Sequence, residues 1–208
     1  MIQKKIGRPR AFNKEEALTA AMKVFWLKGY DGASMKDLTT AMKINSPSLY
    51  AVFGDKHALY LATIDKYTAH DPNAPIVIFE NEINIEKAVY AFLKAALNSA
   101  TQNNLGTLGC FLSSCVATTA GTVDGVQEKL KTAILKADKR LIKRFEDEKE
   151  KGNLPANFPS EERARLMFDL RQGYTYRARA GLDSESMKSD LTFRVKMILK
   201  MDDNLINA

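Results

Sequence analysis

The segment SPSLYAVFGD, which begins at Ser46, constrains the fold of this chain more than any other stretch. Proline suits the first helical position, where its missing N–H costs nothing, and a glycine after apolar residues ends a helix. Ser46 as N-cap, Pro47 at the first position and Gly54 as the stop predict a helix over 47–53, and Asp55 caps the next helix. A helix of about 10 Å, at 1.5 Å per residue, is too short to be stable alone. We therefore expect it to pack on the preceding helix through Leu49, Val52 and Phe53.

Two longer helices are predicted before this segment. Asn13, with Glu16 three residues later, forms the pattern of a capping box, and apolar residues follow at helical spacing until Gly29 ends the helix. Ser34, with Asp37, caps a second helix in the same way. The tight turn KIN then joins it to the short helix, so the three segments predict a helix-turn-helix unit.

The remainder of the chain is also predicted to be helical. No alternating strand pattern and no internal repeat appears, so the fold class is all-α, with about nine helices in total. We expect a helix-turn-helix domain over 1–55 and a larger helical domain over 56–208. Within the second domain, helices are predicted over 56–70, from Ile85 to Ala100, over 110–119, 125–151, 160–180 and 184–201, with Ser160 and Ser184 as the last two caps.

Several classes of protein are disfavoured by the sequence. It has no run of about 18 apolar residues that could span a membrane and no apolar signal segment near Met1, so we expect a cytoplasmic protein. Two cysteines make no disulfide framework, and with only two histidines we expect no dedicated metal site. Paired catalytic carboxylates with a histidine, a nucleophile elbow and a phosphate-binding glycine loop are all missing, so we expect neither an enzyme nor a cofactor.

The positive charge is concentrated at the N-terminal end. Residues 1–56 hold ten lysines and arginines against five acidic residues, which supplies most of the net charge of +6. A basic end on a nearly neutral body is typical of a surface that faces nucleic acid. A solvated charged tail is the alternative that charge alone leaves open.

The ordered motifs GRPRAF, F…KGY, S…DL and SLYAVFGDK, between Gly7 and Leu61, resemble the TetR/AcrR family of one-component transcriptional repressors. The resemblance covers about a quarter of the chain. It implies three N-terminal DNA-binding helices and a larger helical domain for dimerisation and effector binding. A ligand-responsive repressor that binds a pseudo-palindromic operator as a dimer, and leaves it when a small molecule binds, is therefore expected. The alternative is a helical interaction protein or a non-specific DNA binder without an effector.

The candidate DNA contacts lie on and around the short helix. Serine hydroxyls can bond bases or phosphates, and the proline offers only an apolar contact, for instance to a thymine methyl. The tyrosine resembles the family's phosphate-binding tyrosine, with a half-buried aromatic as the alternative. The lysine after Gly54 is expected to hold a phosphate, and two arginines of GRPR to lie in the minor groove or along the backbone unless that arm is disordered. The candidates are Arg8, Arg10, Ser34, Lys36, Thr39, Asn45, Ser46, Pro47, Ser48, Tyr50 and Lys56.

The short helix carries no Arg, Lys, Asn or Gln that could pair bidentately with a base, and Asn45 just before it is the nearest amide. We therefore expect phosphate contacts and DNA shape to supply much of the affinity. Because one such unit reads few bases, a homodimer on a double-stranded operator is expected.

The effector region is less defined by the sequence. Apolar and aromatic residues could line a pocket, although at helical spacing they are more often core. The candidates are Phe92, Cys110, Phe111, Cys115, Met167, Phe168 and Tyr174. The cysteines could include one reactive thiol, or both could be inert and buried. Helices 160–180 and 184–201 are expected to form a four-helix bundle with a second subunit. Three arginines of the first helix have three alternative roles: pairing across the interface, lining a pocket for an anionic effector, or packing by their stems. They are Arg171, Arg177 and Arg179.

Overall fold

The computed structural model describes residues 12–69, 71–102 and 107–200, and every regular element in those ranges is helical. The all-α fold class is thus confirmed. The described chain divides into two compact units between Tyr67 and Thr68, here called the N-terminal and the C-terminal unit. The α-helices are α1 (Lys14–Gly32), α2 (Met35–Met42), α3 (Ser46–Phe53), α4 (Lys56–Thr68), α5 (Pro75–Asn81), α6 (Ile85–Thr101), α7 (Ala117–Thr119), α8 (Val126–Glu150), α9 (Ser160–Arg179), α10 (Ser184–Lys188) and α11 (Leu191–Leu199); a π-helical segment, Leu112–Val116, precedes α7.

The first helix begins as the sequence predicts. The Asn13 side chain accepts hydrogen bonds from the backbone N–H groups of Glu15 and Glu16, which satisfies donors that a helix start leaves open. Gly29 has φ 75° and ψ 171°, values outside the helical region. The expected stop at Gly29 is a kink, because helical residues resume after it and continue to Gly32.

The second helix also begins at its predicted cap. Ser34 and Asp37 form a complete capping box, in which each side chain receives a hydrogen bond from the other residue's backbone N–H. At the other end Lys43 adopts the left-handed conformation, φ 55° and ψ 40°, and its N–H bonds the carbonyls of Thr39 and Thr40. This local geometry turns the chain sharply toward α3.

The cap of the short helix differs from the prediction by one residue. Asn45, not Ser46, is the N-cap, and its side chain accepts the N–H of Ser48. Both residue types cap helices well, so the sequence pattern does not separate them. Pro47 is therefore the second helical residue. Gly54, at φ 79°, ends the helix as predicted.

The N-terminal unit has an aromatic core, and the short helix buries its own apolar side chains. The ring centroids of Phe25 and Tyr60 are 4.8 Å apart, and those of Tyr30 and Tyr60 are 4.9 Å apart. Leu49 is fully buried and Phe53 nearly so. Each buried side chain of this size contributes roughly 1.5–3 kcal/mol. Tertiary packing thus holds a helix that its own hydrogen bonds would not.

The C-terminal unit is built around α6, whose apolar face packs against α5, α9 and α11. Phe92, Leu93 and Leu97 are buried there, as the predicted stripe requires. The predicted helices end close to their observed bounds, but α5 is not predicted by the pattern. The expected helix over 184–201 is broken into α10 and α11.

Two N-caps that the sequence predicts in this unit are wrong by one residue. Pro159 occupies the N-cap position of α9, and Asp183 caps α10 by accepting the N–H of Ser186. Ser160 and Ser184 are the first helical residues instead. An acid or a proline directly before a serine competes for the same position, and sequence alone does not rank them.

A buried ion pair fixes α8 in this unit. Arg144 and Glu148 are both buried and bonded to each other, and Arg144 also donates to the Glu82 carbonyl at 2.8 Å. Lys151 Nζ and Asn153 Nδ2 donate to Glu148 at 2.9 and 2.8 Å. The carboxylate therefore has several donors in place of water.

In the ranges described, no helix is long and apolar enough to cross a membrane.

Candidate nucleic-acid interface

The outer face of α3 presents a small, mostly uncharged surface. Ser46, Pro47 and Tyr50 are exposed, and Tyr50 retains 54% of its surface. Residues three and four apart lie on one face of a helix, so these side chains form one strip while Leu49 faces the core. The strip is about as long as the major groove is wide, roughly 12 Å.

Fewer free backbone N–H groups remain at the start of α3 than the four that a helix N-terminus normally leaves. Pro47 has no N–H, and the Ser48 N–H is bonded to Asn45 Oδ1 at 2.9 Å. The Asn45 oxygen is therefore occupied by capping, and its amide nitrogen is the part of that side chain left for a base edge. Ser48 itself is half-buried, so its hydroxyl is less accessible than that of Ser46.

The Ser34 hydroxyl is committed within its own capping box. It donates to Asp37 Oδ2 at 2.7 Å, while Lys28 Nζ donates to Asp37 Oδ1 at 2.6 Å. The hydrogen bond from Lys28, followed by those from Ser34, holds the pKa of the Asp37 carboxyl well below its usual range. A fixed negative charge thus lies beside Ser34, and a phosphate approaching there would have to displace these bonds.

Thr39 and Lys36 lie on the exposed side of α2 with different freedom. Thr39 is half-buried and its hydroxyl donates to the Met35 carbonyl at 2.9 Å, so its proton is used inside the helix. Lys36 is exposed. Lys36 thus presents its charge to solvent, with no ion-pair partner among the described residues, whereas the Thr39 hydroxyl is already hydrogen-bonded.

Lys56 is held by an aromatic ring that the sequence pattern does not identify. Its ammonium lies 4.6 Å from the ring centroid of Tyr30 and 3.5 Å from the Asp31 carbonyl oxygen. Burial, with the nearby carboxylates of Asp55 and Asp31, raises the pKa of the Tyr30 hydroxyl, so the ring stays neutral. Tyr30 thus fixes the position of the cation at the start of α4. The tyrosine of the KGY motif is the signal that could have found it.

The remaining predicted DNA contacts, Arg8 and Arg10, lie outside the described residues. The structure brings Asn45, Ser46, Pro47 and Tyr50 together on one end and face of α3. Ser34 and Thr39 have their hydroxyl protons bound elsewhere. All of these roles in DNA binding stay predictions.

The predicted effector residues are mostly core. Within the C-terminal unit Phe168 is half-buried and the other candidates are buried, namely Phe92, Cys110, Phe111, Cys115, Met167 and Tyr174. The π-helical segment lies against α9, where Ser113 and Thr175 hydroxyls are 3.2 Å apart. π-Helical turns are frequent at functional sites. Across the described ranges, no group of three or more His, Cys, Asp or Glu side chains could hold a metal ion.

Comparison with known proteins finds a family model and several relatives that match this chain. Residues 17–63 match the model described as bacterial regulatory proteins, tetR family. The chain is similar to the HTH-type transcriptional repressor ComR of Escherichia coli (strain K12), with 27% identity over 191 residues, 89% of each chain. It is 34% identical over 106 residues to the HTH-type transcriptional repressor BdcR of the same organism, 51% of this chain and 53% of that one.

A solved structure extends the similarity to most of the chain. It is a cysteine mutant of the TetR family transcriptional regulator CifR complexed with 26bp double-strand operator DNA. Its TM-score is 0.82 at 26% identity, and the match covers 91% of this chain and 98% of that one. The segment matched by the family model contains α2 and α3, so it includes the exposed strip described above.

Proposed function

Because the chain belongs to the TetR family of bacterial regulatory proteins, we propose that it represses transcription by binding a pseudo-palindromic operator as a homodimer that a small molecule releases. The observation that carries the proposal is the exposed strip of α3, anchored by buried Leu49 and Phe53. A groove-sized helix with its polar start exposed and its apolar end buried suits DNA reading. ComR and BdcR are described as repressors, and the CifR mutant is bound to operator DNA.

In the proposed complex α3 enters the major groove. The Tyr50 hydroxyl and the Lys56 ammonium bond phosphates, Ser46 and the Asn45 amide reach base edges or phosphates, and Pro47 contacts an apolar base edge. Lys36 adds a phosphate contact from α2. Ser34, Thr39 and Ser48 contribute less, since their hydroxyls are committed or half-buried. Arg8 and Arg10 contact the DNA backbone or minor groove.

The proposed dimer uses the last helices of the C-terminal unit. Tyr176 of α9 keeps 79% of its surface exposed, Phe193 of α11 keeps 65% and Met197 keeps 48%. Large apolar side chains exposed on neighbouring helices are typical of a surface that a partner covers. A four-helix bundle formed with the same helices of a second chain would bury them.

The division of labour follows the two regions named from the sequence. Residues 1–55 bind DNA with the help of Lys56 at the start of α4, and the rest of residues 56–208 carries the effector and dimer functions, in the cytoplasm, where the operator is reached. Ligand binding in the second region changes the spacing of the two DNA-binding heads in the dimer.

The test is footprinting of the purified protein on the DNA that flanks its own coding region, at fixed salt. We expect one protected pseudo-palindrome, bound at least about 10³-fold more tightly than random DNA of equal length. Equal affinity for every fragment would contradict the proposal and favour the non-specific DNA binder. Repeating the footprint across a panel of small molecules tests the release step.

A further inference from the structure

Arg171 on α9 has no carboxylate partner among the residues that the structure describes. It is half-buried, and the side-chain contacts that the described residues give it are Cys110 Sγ at 3.9 Å and the Phe168 ring, whose centroid is 5.9 Å from the guanidinium carbon. A thiol is a weak acceptor and a ring edge or face is not a counter-charge. Partly buried arginines are normally paired, so this one lacks the group that its five donors suit.

The surrounding sequence supplies no acid to pair with it. Residues 107–123, which include the π-helical segment packed on α9, contain no charged residue, and residues 170–182 contain three arginines and no acid. Asp169 is exposed and only two positions away, so it does not share a helix face with Arg171. On the other helices packed against α9, Asp190 is bonded to Arg194 at 3.3 Å, and the charged neighbours of Asp138 on α8 are Arg165 and Asp169.

A second donor lies one turn along the same helix. The Tyr174 hydroxyl oxygen is buried, and its proton has no acceptor among the residues that the structure describes. The Arg194 guanidinium, 4.8 Å from the ring centroid, is a donor and does not satisfy that proton. Burial raises the pKa of Tyr174, so the hydroxyl keeps its proton at neutral pH. A buried hydroxyl without an acceptor costs about 1–3 kcal/mol, which a bound acceptor would restore.

We propose that Arg171 and Tyr174 form the anion-binding end of the effector site, and that the effector is a small carboxylic acid with an apolar body. The proposal rests on the proposed ligand-released repressor. A guanidinium fork matches the two oxygens of a carboxylate, and the Tyr174 hydroxyl supplies one further bond. A phosphate dianion would need more positive charge than one arginine provides. Phe168 and the buried Met167 supply the apolar surroundings.

The experiment measures binding of benzoate and octanoate, each beside its neutral amide, by calorimetry with the full-length dimer. We expect at least one acid to bind about tenfold or more tightly than its amide, because the charge-assisted bonds to Arg171 are lost in the amide. Arg171→Gln abolishes that preference, and Tyr174→Phe weakens acid binding about threefold. Arg165→Gln, at an exposed arginine of the same helix that bonds Glu161, leaves it unchanged.

Three outcomes would overturn the inference: no acid preferred over its amide, a preference that survives Arg171→Gln, or inorganic phosphate binding as tightly as the acids. Arg171→Lys, which keeps the charge, retains part of the preference and excludes misfolding as the cause of the Arg171→Gln result. Operator binding is measured separately without acid. A protein that binds operator but no acid refutes this site alone, whereas one that binds acid but no operator refutes the repressor function alone.

Discussion

The side-chain hydrogen bonds around α2 and α3 and those that join the helices of the C-terminal unit span different distances along the chain. Around α2 and α3 the bonds are local: Ser34 with Asp37, and Asn45 with Ser48, each three residues apart. In the C-terminal unit the corresponding bonds join residues about sixty apart: Arg140 with Glu80, Arg144 with Glu82, and Ser113 with Thr175.

This difference teaches how each unit can work. Local caps fix where the short helix begins, and the buried Leu49 and Phe53 hold it in place, which suits a surface that reads DNA. Long-range polar contacts join elements that a ligand can shift together, and coupling between sites needs such discrete arrangements. Lys66 with Glu15, 51 residues apart, is a long-range contact within the N-terminal unit, and it joins α4 to α1.

The largest effect is expected at the buried Arg144–Glu148 pair, because this arginine also carries the long-range bond to the Glu82 carbonyl. Glu148→Gln leaves the buried Arg144 without its counter-charge and lowers the free energy of unfolding by about 3 kcal/mol. Urea denaturation followed by circular dichroism measures it. Glu150→Gln, at the exposed end of the same helix, is the matched control and changes stability by less than about 0.5 kcal/mol. Equal effects for the two variants would show that the buried pair stabilises the protein no more than an exposed acid does.

A smaller effect, confined to DNA binding, is expected on the exposed strip. Tyr50→Phe removes one hydroxyl per subunit, and we expect operator affinity to fall about tenfold, because each lost phosphate bond costs about 0.5–1.5 kcal/mol. The fall should be similar for every DNA sequence, since phosphate contacts carry no base information. Tyr90→Phe, an exposed tyrosine of α6, is the control in the same anisotropy titration. Unchanged affinity in Tyr50→Phe would place Tyr50 outside the interface.

The capping box of α2 separates a structural role from a DNA-binding one. Ser34→Ala should lower stability by about 1 kcal/mol, the usual value of an N-cap, while operator affinity at a temperature where the protein is folded changes little. Ser99→Ala, whose hydroxyl bonds the Ala95 carbonyl within α6, is the comparison. A large loss of DNA affinity without a loss of stability would show that Ser34 binds phosphate instead.

The smallest effect is expected from the ring beneath Lys56. Tyr30→Leu removes the cation–π contact, worth about 0.5–1 kcal/mol at an exposed site, and operator affinity should fall about threefold. Tyr30→Phe keeps the ring and should bind as the original protein does. Titrations at several salt concentrations check the reason, because Lys56 bound to phosphate contributes to the salt slope. Equal losses in both variants would point to the hydroxyl instead.

The sequence predicts those features that local chemistry decides. Asn13, Ser34, Gly54 and Asp55 mark helix ends correctly, because a cap or a left-handed glycine acts within four residues. The exposed strip of α3 follows from the same local rules. Asn45 was missed as the cap because the serine after it is an equally good one.

Other features depend on tertiary contacts and leave no local signal. The apolar run PIVIFE shows neither helical nor strand spacing, and α5 forms because Val77 and Phe79 are buried against α6. The contact of Tyr30 with Lys56 joins residues 26 apart, and that of Arg171 with Cys110 joins residues 61 apart. Spacing along the sequence does not identify such pairs. The sequence therefore predicts apolar residues for the effector region but does not decide between several roles for Arg171.

The most direct test of the central claim, that two copies of α3 read one operator, is a gel shift on the footprinted sequence and on its isolated half-site. We predict a complex of two chains on the full site, at least about 10³-fold tighter than binding to the half-site, since one unit reads few bases. A one-to-one complex on the half-site that is as tight as the complex on the full site would contradict the account.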